Sequence, residues 1–157
     1  MNCTPEILTH LSNLEIFSDF ASGSEQDMRI LEKVCGKLEQ KDFSAGSVII
    51  NEGDDGDILY ILFQGIVQVM RNTPCSDRFA VVNLASEQNV FFGEVALIDK
   101  DKRSASVIAQ TDCRTLTLSG SDFNSLCAEE PLLGYKACFR IAKRLAGSLR
   151  RSTADIL

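Results

Sequence analysis

The sequence contains no tryptophan, only one histidine, and no apolar run of the roughly 18 residues that a membrane span requires. The single histidine, His10, falls in an N-terminal region with helical spacing, which argues against a histidine-rich metal centre and against a histidine-dependent triad. The polar start of the chain lacks the basic segment and apolar core of a secretion signal. We therefore expect a cytoplasmic protein that is not an enzyme and uses no metal or cofactor.

Cysteine pairs with metal-ligand spacing are also missing. Six cysteines are scattered without any CxxC motif, so we expect reduced, mostly buried thiols rather than a disulfide framework or a zinc site. They are Cys3, Cys35, Cys75, Cys113, Cys127 and Cys138.

The charge distribution argues against nucleic acid as a partner. The net charge is −6, and with 157 residues the chain is sized for one domain with a single core. Basic residues are nevertheless concentrated between Leu132 and Ala154, where there is no acid: Lys136, Arg140, Lys143, Arg144, Arg150 and Arg151. This segment is either a solvated helix face or a surface for an acidic partner.

Apolar periodicity divides the chain into three parts. Helical spacing from Pro5 to about Leu38 predicts two helices, the second capped by Ser24 with Asp27 in a capping-box position. Short apolar or alternating runs then predict strands. These are 48–50, 58–63, 66–70, 79–84, 104–109 and 115–118. We therefore predict helices in 1–43, a β-sandwich or barrel in 44–119 and helices in 120–157.

Turn chemistry supports this division. We expect Gly53, Gly56 and Gly65 to adopt positive φ at tight reversals. The cluster Asp54-Asp55-Gly56-Asp57 lacks the remaining ligands of a calcium loop, so we interpret it as a turn.

The C-terminal part is predicted to contain two helices. Ser119 or Ser121 caps a short helix that stops near Pro131, where we expect the acidic pair Glu129-Glu130 to be solvent exposed. A longer helix follows, with an apolar stripe at Cys138, Ile141, Ala142, Leu145 and Leu149. That stripe can pack on the barrel, pair with a second subunit in a homodimer, or close over a ligand.

The most informative motif is Phe92-Gly93-Glu94-Val95-Ala96-Leu97, followed by Arg103-Ser104-Ala105. A glycine before a short helix lets the backbone approach an anion, toward which the first helical N–H groups point. The Arg103 guanidinium suits phosphate oxygens, whereas ionised Glu94 accepts hydrogen bonds and suits a sugar hydroxyl. The alternative is that Glu94 and Arg103 simply pair with each other.

These residues resemble the phosphate-binding cassette of the cyclic nucleotide-binding domains, Phe-Gly-Glu-x-Ala-Leu, a loop, then Pro-Arg-[Ala/Ser/Thr]-Ala. A second element of that family is similar to residues 53–60 and 65–69. The resemblance implies a jelly-roll-like barrel, with flanking helices and a cassette at 91–106, that binds cAMP or cGMP as a regulatory, signal-transducing module.

Carried over residue by residue, the resemblance assigns roles to eight positions. Glu94 would accept from the ribose 2′-hydroxyl, and Arg103 would bind the cyclic phosphate. The remaining cradle would come from Phe92 and from groups around Gly93, Val95, Ala96, Ser104 and Ala105. The Ser104 hydroxyl can donate to phosphate or to guanine, so it does not by itself separate cAMP from cGMP.

Two positions depart from the pattern. Lys102 replaces the usual proline, which removes a φ constraint and adds positive charge. Asn89-Val90 replaces the common Gly-Asp, and we expect asparagine to tolerate a left-handed backbone there.

Two functions follow. The first is a stand-alone module that prefers cAMP and signals to a protein partner by movement of its C-terminal helix. The alternative is a ligand-free interaction scaffold that works through that cationic helix.

Overall fold

The computed structural model describes residues 2–72, 79–100 and 102–156. Its helices are α1 (Pro5–Asn13), α2 (Glu25–Lys37), α3 (Gly120–Glu129) and α4 (Pro131–Ile156), with short 3₁₀ helices at Glu15–Phe20, Ser86–Gln88 and Glu94–Leu97. Its strands are β1 (Glu39–Phe43), β2 (Val48–Ile50), β3 (Ile58–Gln64), β4 (Ile66–Asn72), β5 (Phe79–Ala85), β6 (Phe91–Phe92), β7 (Ser106–Ala109) and β8 (Cys113–Ser119).

The strands form two antiparallel sheets of four, ordered β1-β8-β3-β6 and β2-β7-β4-β5. The predicted fold class, mainly β with flanking helices, is confirmed. Among the described strands the two sheets are not hydrogen-bonded into one closed barrel.

Strand β3 shows how one sequence run serves two cores. Leu59 and Ile61 pack with the helices, whereas Tyr60 and Leu62 lie between the sheets. Because alternate side chains of a strand point to opposite faces, burial on both sides requires a nearly continuous apolar run. The result is three layers: helices, the β3-containing sheet, and the second sheet.

The caps predicted at Ser24 and Ser119 are confirmed, and Thr4 caps α1 as well. Thr4, Ser24 and Ser119 each accept a backbone N–H from the first turn of α1, α2 and α3. Asp27, by contrast, accepts hydrogen bonds from Ser22 instead of closing a box with Ser24.

Strand β1 was not predicted. Its five residues lie in the segment expected to be helical, yet they pair with β8 from Glu39↔Thr117 to Phe43↔Cys113. The strand lies at the edge of its sheet and is largely exposed, so it carries no apolar alternation. Backbone pairing and the buried hydroxyls of Thr115 and Thr117, which donate to its carbonyls, hold it in place.

Two expectations about side chains are wrong. Cys3 and Cys35 form a disulfide that ties the start of the chain to α2, whereas Cys113, Cys127 and Cys138 are free and Cys75 lies outside the described residues. Glu130 is not solvent exposed like its neighbour: its side chain is 13% exposed and forms ion pairs with Arg29 and Lys33. Hydrogen bonds from these two cations lower the pKa of Glu130 to about 2.

The long helix α4 divides the predicted apolar stripe between two faces. Ile141 is buried together with Leu133 and Ala137, and Cys138 is partly buried. Ala142, Leu145 and Leu149 are exposed, because the helix extends beyond the core after Ile141. The stripe therefore does not pack on the core as a unit.

Candidate functional site

A cavity of about 410 Å³ opens between the second sheet, the 91–105 segment and α4. Six of the eight predicted ligand-binding residues line it: Phe92, Gly93, Glu94, Arg103, Ser104 and Ala105. Val95 and Ala96 do not line it. Val95 is 37% exposed, and Ala96 is buried and lines a second cavity beside α3 and α4. The sequence motif therefore folds into one wall of a pocket of the size that small ligands occupy.

Arg103 is the centre of this wall. Its Nη2 donates to the Ile58 carbonyl at 2.8 Å, and no other hydrogen bond engages its side chain within the described residues. An arginine has five N–H donors, so most of the Arg103 donors make no hydrogen bond to the described residues. No carboxylate in the described part of the chain forms an ion pair with it.

Two glycines make room for the guanidinium. A Cβ on Gly56 would lie 2.2 Å from Arg103 Nε, and a Cβ on Gly93 would lie 2.5 Å from Nη1 and 2.8 Å from the Ile58 carbonyl oxygen. Gly56 therefore has no side chain because Arg103 passes over it; the expected positive φ is found at Gly53 and Gly65 but not at Gly56. Gly56 of the upstream motif and Gly93 of the cassette thus both border the Arg103 side chain.

The loop that carries Arg103 is anchored to residues 53–55. The Gly53 N–H donates to the Arg103 carbonyl at 2.8 Å, and the Arg103 N–H donates to the Asp54 carbonyl at 2.7 Å. Lys102 forms an isolated β-bridge and an exposed ion pair, 3.6 Å, with Asp55. Backbone pairing thus orders the loop at the position where the family pattern has proline.

Two residues of the backbone beside the cavity are left-handed, of which only Asn89 was predicted to tolerate this conformation. Gly93 has a φ of 83° and immediately precedes the 3₁₀ helix, and Asn89 has a φ of 57°. Glycine adopts this region without strain, and asparagine tolerates it better than most residues. The tolerance expected for Asn89 is therefore confirmed.

Glu94 pairs with an arginine other than Arg103. Its Oε1 accepts from Arg144 Nε of α4 at 3.4 Å, and its side chain is only 17% exposed. The same guanidinium donates from Nη1 to Glu15 Oε2 at 3.0 Å and lies 4.5 Å from the centroid of the Phe91 ring. One side chain of α4 therefore joins the cassette to the N-terminal 3₁₀ helix.

Sequence reasoning missed Arg144 as a site residue. It lines the cavity with Arg71 and with apolar side chains from several strands: Ile50, Val69, Val81, Val82, Leu84 and Val107. No local sequence pattern indicates Arg144, but the structure marks the surface by two adjacent exposed valines, Val81 at 52% and Val82 at 49%, because an exposed apolar cluster is typical of a binding surface.

Neither His10 nor Cys127 has the environment of a catalytic group. His10 has a packing role: its Nε2 contacts the Leu62 carbonyl at 3.1 Å, its ring meets the Phe63 ring edge-on, and burial lowers its pKa. Burial also raises the pKa of the Cys127 thiol to about 11, which suppresses its nucleophilic form.

In this two-sheet sandwich, an arginine held by a backbone carbonyl lines an open cavity, and a guanidinium in such a place suits an anionic ligand. Comparison with known proteins makes the class specific. The sequence profile of the cyclic nucleotide-binding domain matches residues 40–130. The chain belongs to the cyclic nucleotide-binding domain family, whose members are regulatory ligand-binding domains.

Relatives and solved structures agree with this assignment. The chain is 31% identical over 107 residues to the human potassium/sodium hyperpolarization-activated cyclic nucleotide-gated channel 4, covering 68% of this chain and 8% of the channel. It is 32% identical over 136 residues to mouse cGMP-dependent protein kinase 2, covering 79% of this chain and 18% of the kinase. The chain thus spans a small part of either relative.

Among structures, a cyclic nucleotide-binding domain from Methylobacillus flagellatus has the same fold, with a TM-score of 0.74 and 24% identity over 95% of this chain and 82% of that one. A cAMP-bound PfPKA-R has a TM-score of 0.67 and 27% identity over 80% of this chain and 43% of that one. Among the described residues, no helix is both long and apolar enough to cross a membrane.

Proposed function

We propose that the chain binds a cyclic nucleotide in the 410 Å³ cavity, with Arg103 on the cyclic phosphate and Glu94 on the ribose 2′-hydroxyl. The observation that carries the proposal is the seating of Arg103: one backbone carbonyl fixes the guanidinium, and its other donors are available at the cavity wall. A cyclic phosphodiester has one negative charge and two free oxygens, which match a planar two-pronged donor.

Glu94 fits the ribose role for a related reason. Arg144 occupies Oε1, and no described residue donates to Oε2, so the carboxylate retains acceptor capacity. Backbone groups around Gly93, Val95, Ala96, Ser104 and Ala105 complete the cradle in this proposal.

We propose cAMP as the preferred ligand. Two thirds of the residues that line the cavity are apolar. The polar ones are Arg71, Glu94, Arg103, Ser104 and Arg144. Guanine carries a carbonyl, a ring N–H and an exocyclic amine, whereas adenine carries only an exocyclic amine beside its ring nitrogens. Guanine therefore loses more hydrogen bonds to water when it enters such a cavity without partners. The Ser104 hydroxyl can satisfy only one of these groups, so adenine is the less costly base.

The signal in this proposal passes from the cavity to α4 through Arg144. Because Arg144 contacts Glu94, Glu15 and Phe91 together, a ligand that changes the position of Glu94 changes the preferred position of the helix. A ligand shifts the helix only by as much as its affinity differs between the two positions.

Ligand binding is expected to raise the melting temperature. At about a hundredfold excess over Kd, a ligand adds about 2.7 kcal/mol to the free energy of unfolding, which raises the Tm of a domain of this size by roughly 5 to 10 °C. We expect the larger shift with cAMP at equal concentrations of cAMP and cGMP. A shift with cGMP alone would contradict the base preference, and flat melting curves with both would favour the ligand-free scaffold.

The Arg144 link is tested by a double-mutant cycle with 2′-deoxy-cAMP. In the wild-type protein, loss of the 2′-hydroxyl removes a hydrogen bond to a charged group and is expected to weaken binding roughly ten- to a hundredfold. In Arg144→Gln, Glu94 loses the group that positions it. We therefore expect the ratio of the Kd for 2′-deoxy-cAMP to the Kd for cAMP to fall several-fold.

Arg140→Gln is the matched control. Arg140 lies one turn earlier on α4 and pairs with Asp19 at 2.9 Å, and it does not line the cavity. Its ratio of Kd values should equal that of the wild type. A ratio in Arg144→Gln that equals or exceeds the wild-type value would show that Arg144 does not position Glu94.

A further inference from the structure

The outer face of α4 carries an apolar seam that stays exposed in the described part of the domain. Its positions are separated by three and four residues in strict alternation, the spacing of a two-helix coiled-coil contact. The outer seam consists of Leu132, Tyr135, Phe139, Ala142, Ala146 and Leu149, all of them exposed. At 1.5 Å per residue it is about 27 Å long.

The inner face of the same helix accounts for its attachment to the domain. Leu133, Ala137 and Ile141 are buried there. Arg140 donates to Asp19 and lowers the pKa of that carboxyl through these hydrogen bonds, and Arg144 pairs with Glu15. The fold thus uses the inner face as far as Arg144, and none of the outer-seam residues belongs to the buried core.

Aromatic exposure makes the outer seam unusual for a solvated face. Tyr135 is 64% exposed and Phe139 is 50% exposed, and their rings stack at 6.0 Å between centroids. Large aromatic side chains dominate the energetics of protein interfaces, whereas an exposed pair costs hydration free energy. A helix that served only as a solvated surface would have polar residues at these positions.

Cations flank the outer seam at intervals of seven residues: Lys136, Lys143 and Arg150. These are the flanking positions that pair with charges on a facing helix. The Lys136 ammonium lies 6.0 Å from the Tyr135 ring centroid, and that of Lys143 lies 5.0 Å from the Phe139 ring centroid. The helix has no acidic residue between Leu132 and Ala154, so no carboxylate of this stretch neutralises the three cations.

We propose that the outer seam binds an amphipathic helix of another protein that carries acidic residues beside its own apolar stripe. Such a helix buries Tyr135 and Phe139 and pairs its carboxylates with Lys136, Lys143 and Arg150. A second copy of α4 fits less well: antiparallel pairing sets these cations against each other, and parallel pairing sets Lys143 opposite Cys138, without a carboxylate in either case.

The experiment titrates the full chain, without nucleotide, with a three-heptad helical peptide that has leucine along its stripe and glutamate at both flanks. Saturable binding of this peptide, and none of a peptide with lysine at the flanks, is the expected result. The triple variant Lys136→Glu, Lys143→Glu and Arg150→Glu should weaken binding at least about tenfold, since each reversal replaces an attraction by a repulsion. Phe139→Ser should also weaken it about tenfold or more, because an aromatic anchor is lost.

Arg151→Glu is the matched control. Arg151 lies on the same helix but outside the outer seam, where it donates to Ser148 Oγ, so the same charge change should leave peptide affinity within about twofold of the wild type. Equal binding of the lysine peptide, or a triple variant that binds like Arg151→Glu, would overturn the proposal. Self-association of the chain by light scattering, together with failure to bind the acidic peptide, would overturn it in favour of a second copy.

Discussion

Arg103→Ala is expected to weaken cyclic nucleotide binding roughly ten- to a hundredfold. The substitution removes a charge-assisted hydrogen bond to phosphate, which contributes about 1.5–3 kcal/mol, and each 1.4 kcal/mol is tenfold in Kd. Stability should change little, because the guanidinium makes one hydrogen bond to Ile58 and pairs with no carboxylate among the described residues. Calorimetric titration with cAMP measures the effect.

Arg114→Ala supplies the control for charge. Arg114 pairs with Asp42 at 3.3 Å on the sheet surface, is 42% exposed, and does not line the cavity. The Arg114→Ala variant loses the same net charge as Arg103→Ala, so its Kd for cAMP should stay at the wild-type value. Arg103→Lys should fall between the two, because an ammonium keeps the charge but loses the two-pronged geometry. Equal affinities of Arg103→Ala and Arg114→Ala would show that the phosphate site is elsewhere.

Gly93→Ala is expected to have the second large effect, on both stability and binding. Its φ of 83° is left-handed, which costs a residue with a Cβ about 1–2 kcal/mol. The new Cβ would also lie 2.5 Å from Arg103 Nη1 and 2.8 Å from the Ile58 oxygen, so the guanidinium must leave its seat. We expect Tm to fall by several degrees and affinity to fall at least as far as in Arg103→Ala.

Gly46→Ala is a control that introduces the backbone strain of Gly93→Ala without displacing the Arg103 guanidinium. Gly46 has a φ of 90°, but a Cβ there would meet nothing within 4 Å. This variant should lose stability through the same backbone strain while binding cAMP as the wild type does. If Gly46→Ala weakened binding as much as Gly93→Ala, loss of stability rather than displacement of Arg103 would explain both, and the proposed seat would be wrong.

The central strands were predictable for two reasons. Both sides of β3 are buried, which forces a dense apolar run, whereas β8 alternates threonine with leucine from Thr115 to Leu118. Edge strand β1 was not, since Glu39–Phe43 is held by backbone pairing with β8 and leaves no pattern in its side chains. Similarly, the 3-4 spacing of α4 indicates a helix but not which of its two apolar faces the domain covers. That choice depends on where α3 and the N-terminal 3₁₀ helix pack against α4.

The cassette could be identified from residues near one another in sequence, because a glycine, a carboxylate and an arginine at fixed spacing carry the chemistry. Contacts between distant segments could not. Arg144 is 50 residues from Glu94, and Cys3 is 32 residues from Cys35, so neither pairing leaves a local signal. Gly56 was assigned to a turn because its partner, Arg103, reaches it only after the loop has folded onto residues 53–55.

The most direct measurement of the central claim is an isothermal titration of the full chain with cAMP, cGMP and 5′-AMP. We predict saturable one-site binding of cAMP, weaker binding of cGMP, and much weaker binding of 5′-AMP, whose open, dianionic phosphate does not match the single guanidinium seat. The absence of saturable heat with both cyclic nucleotides at several temperatures, or equal binding of 5′-AMP, would contradict the assignment of this cavity to a cyclic phosphate.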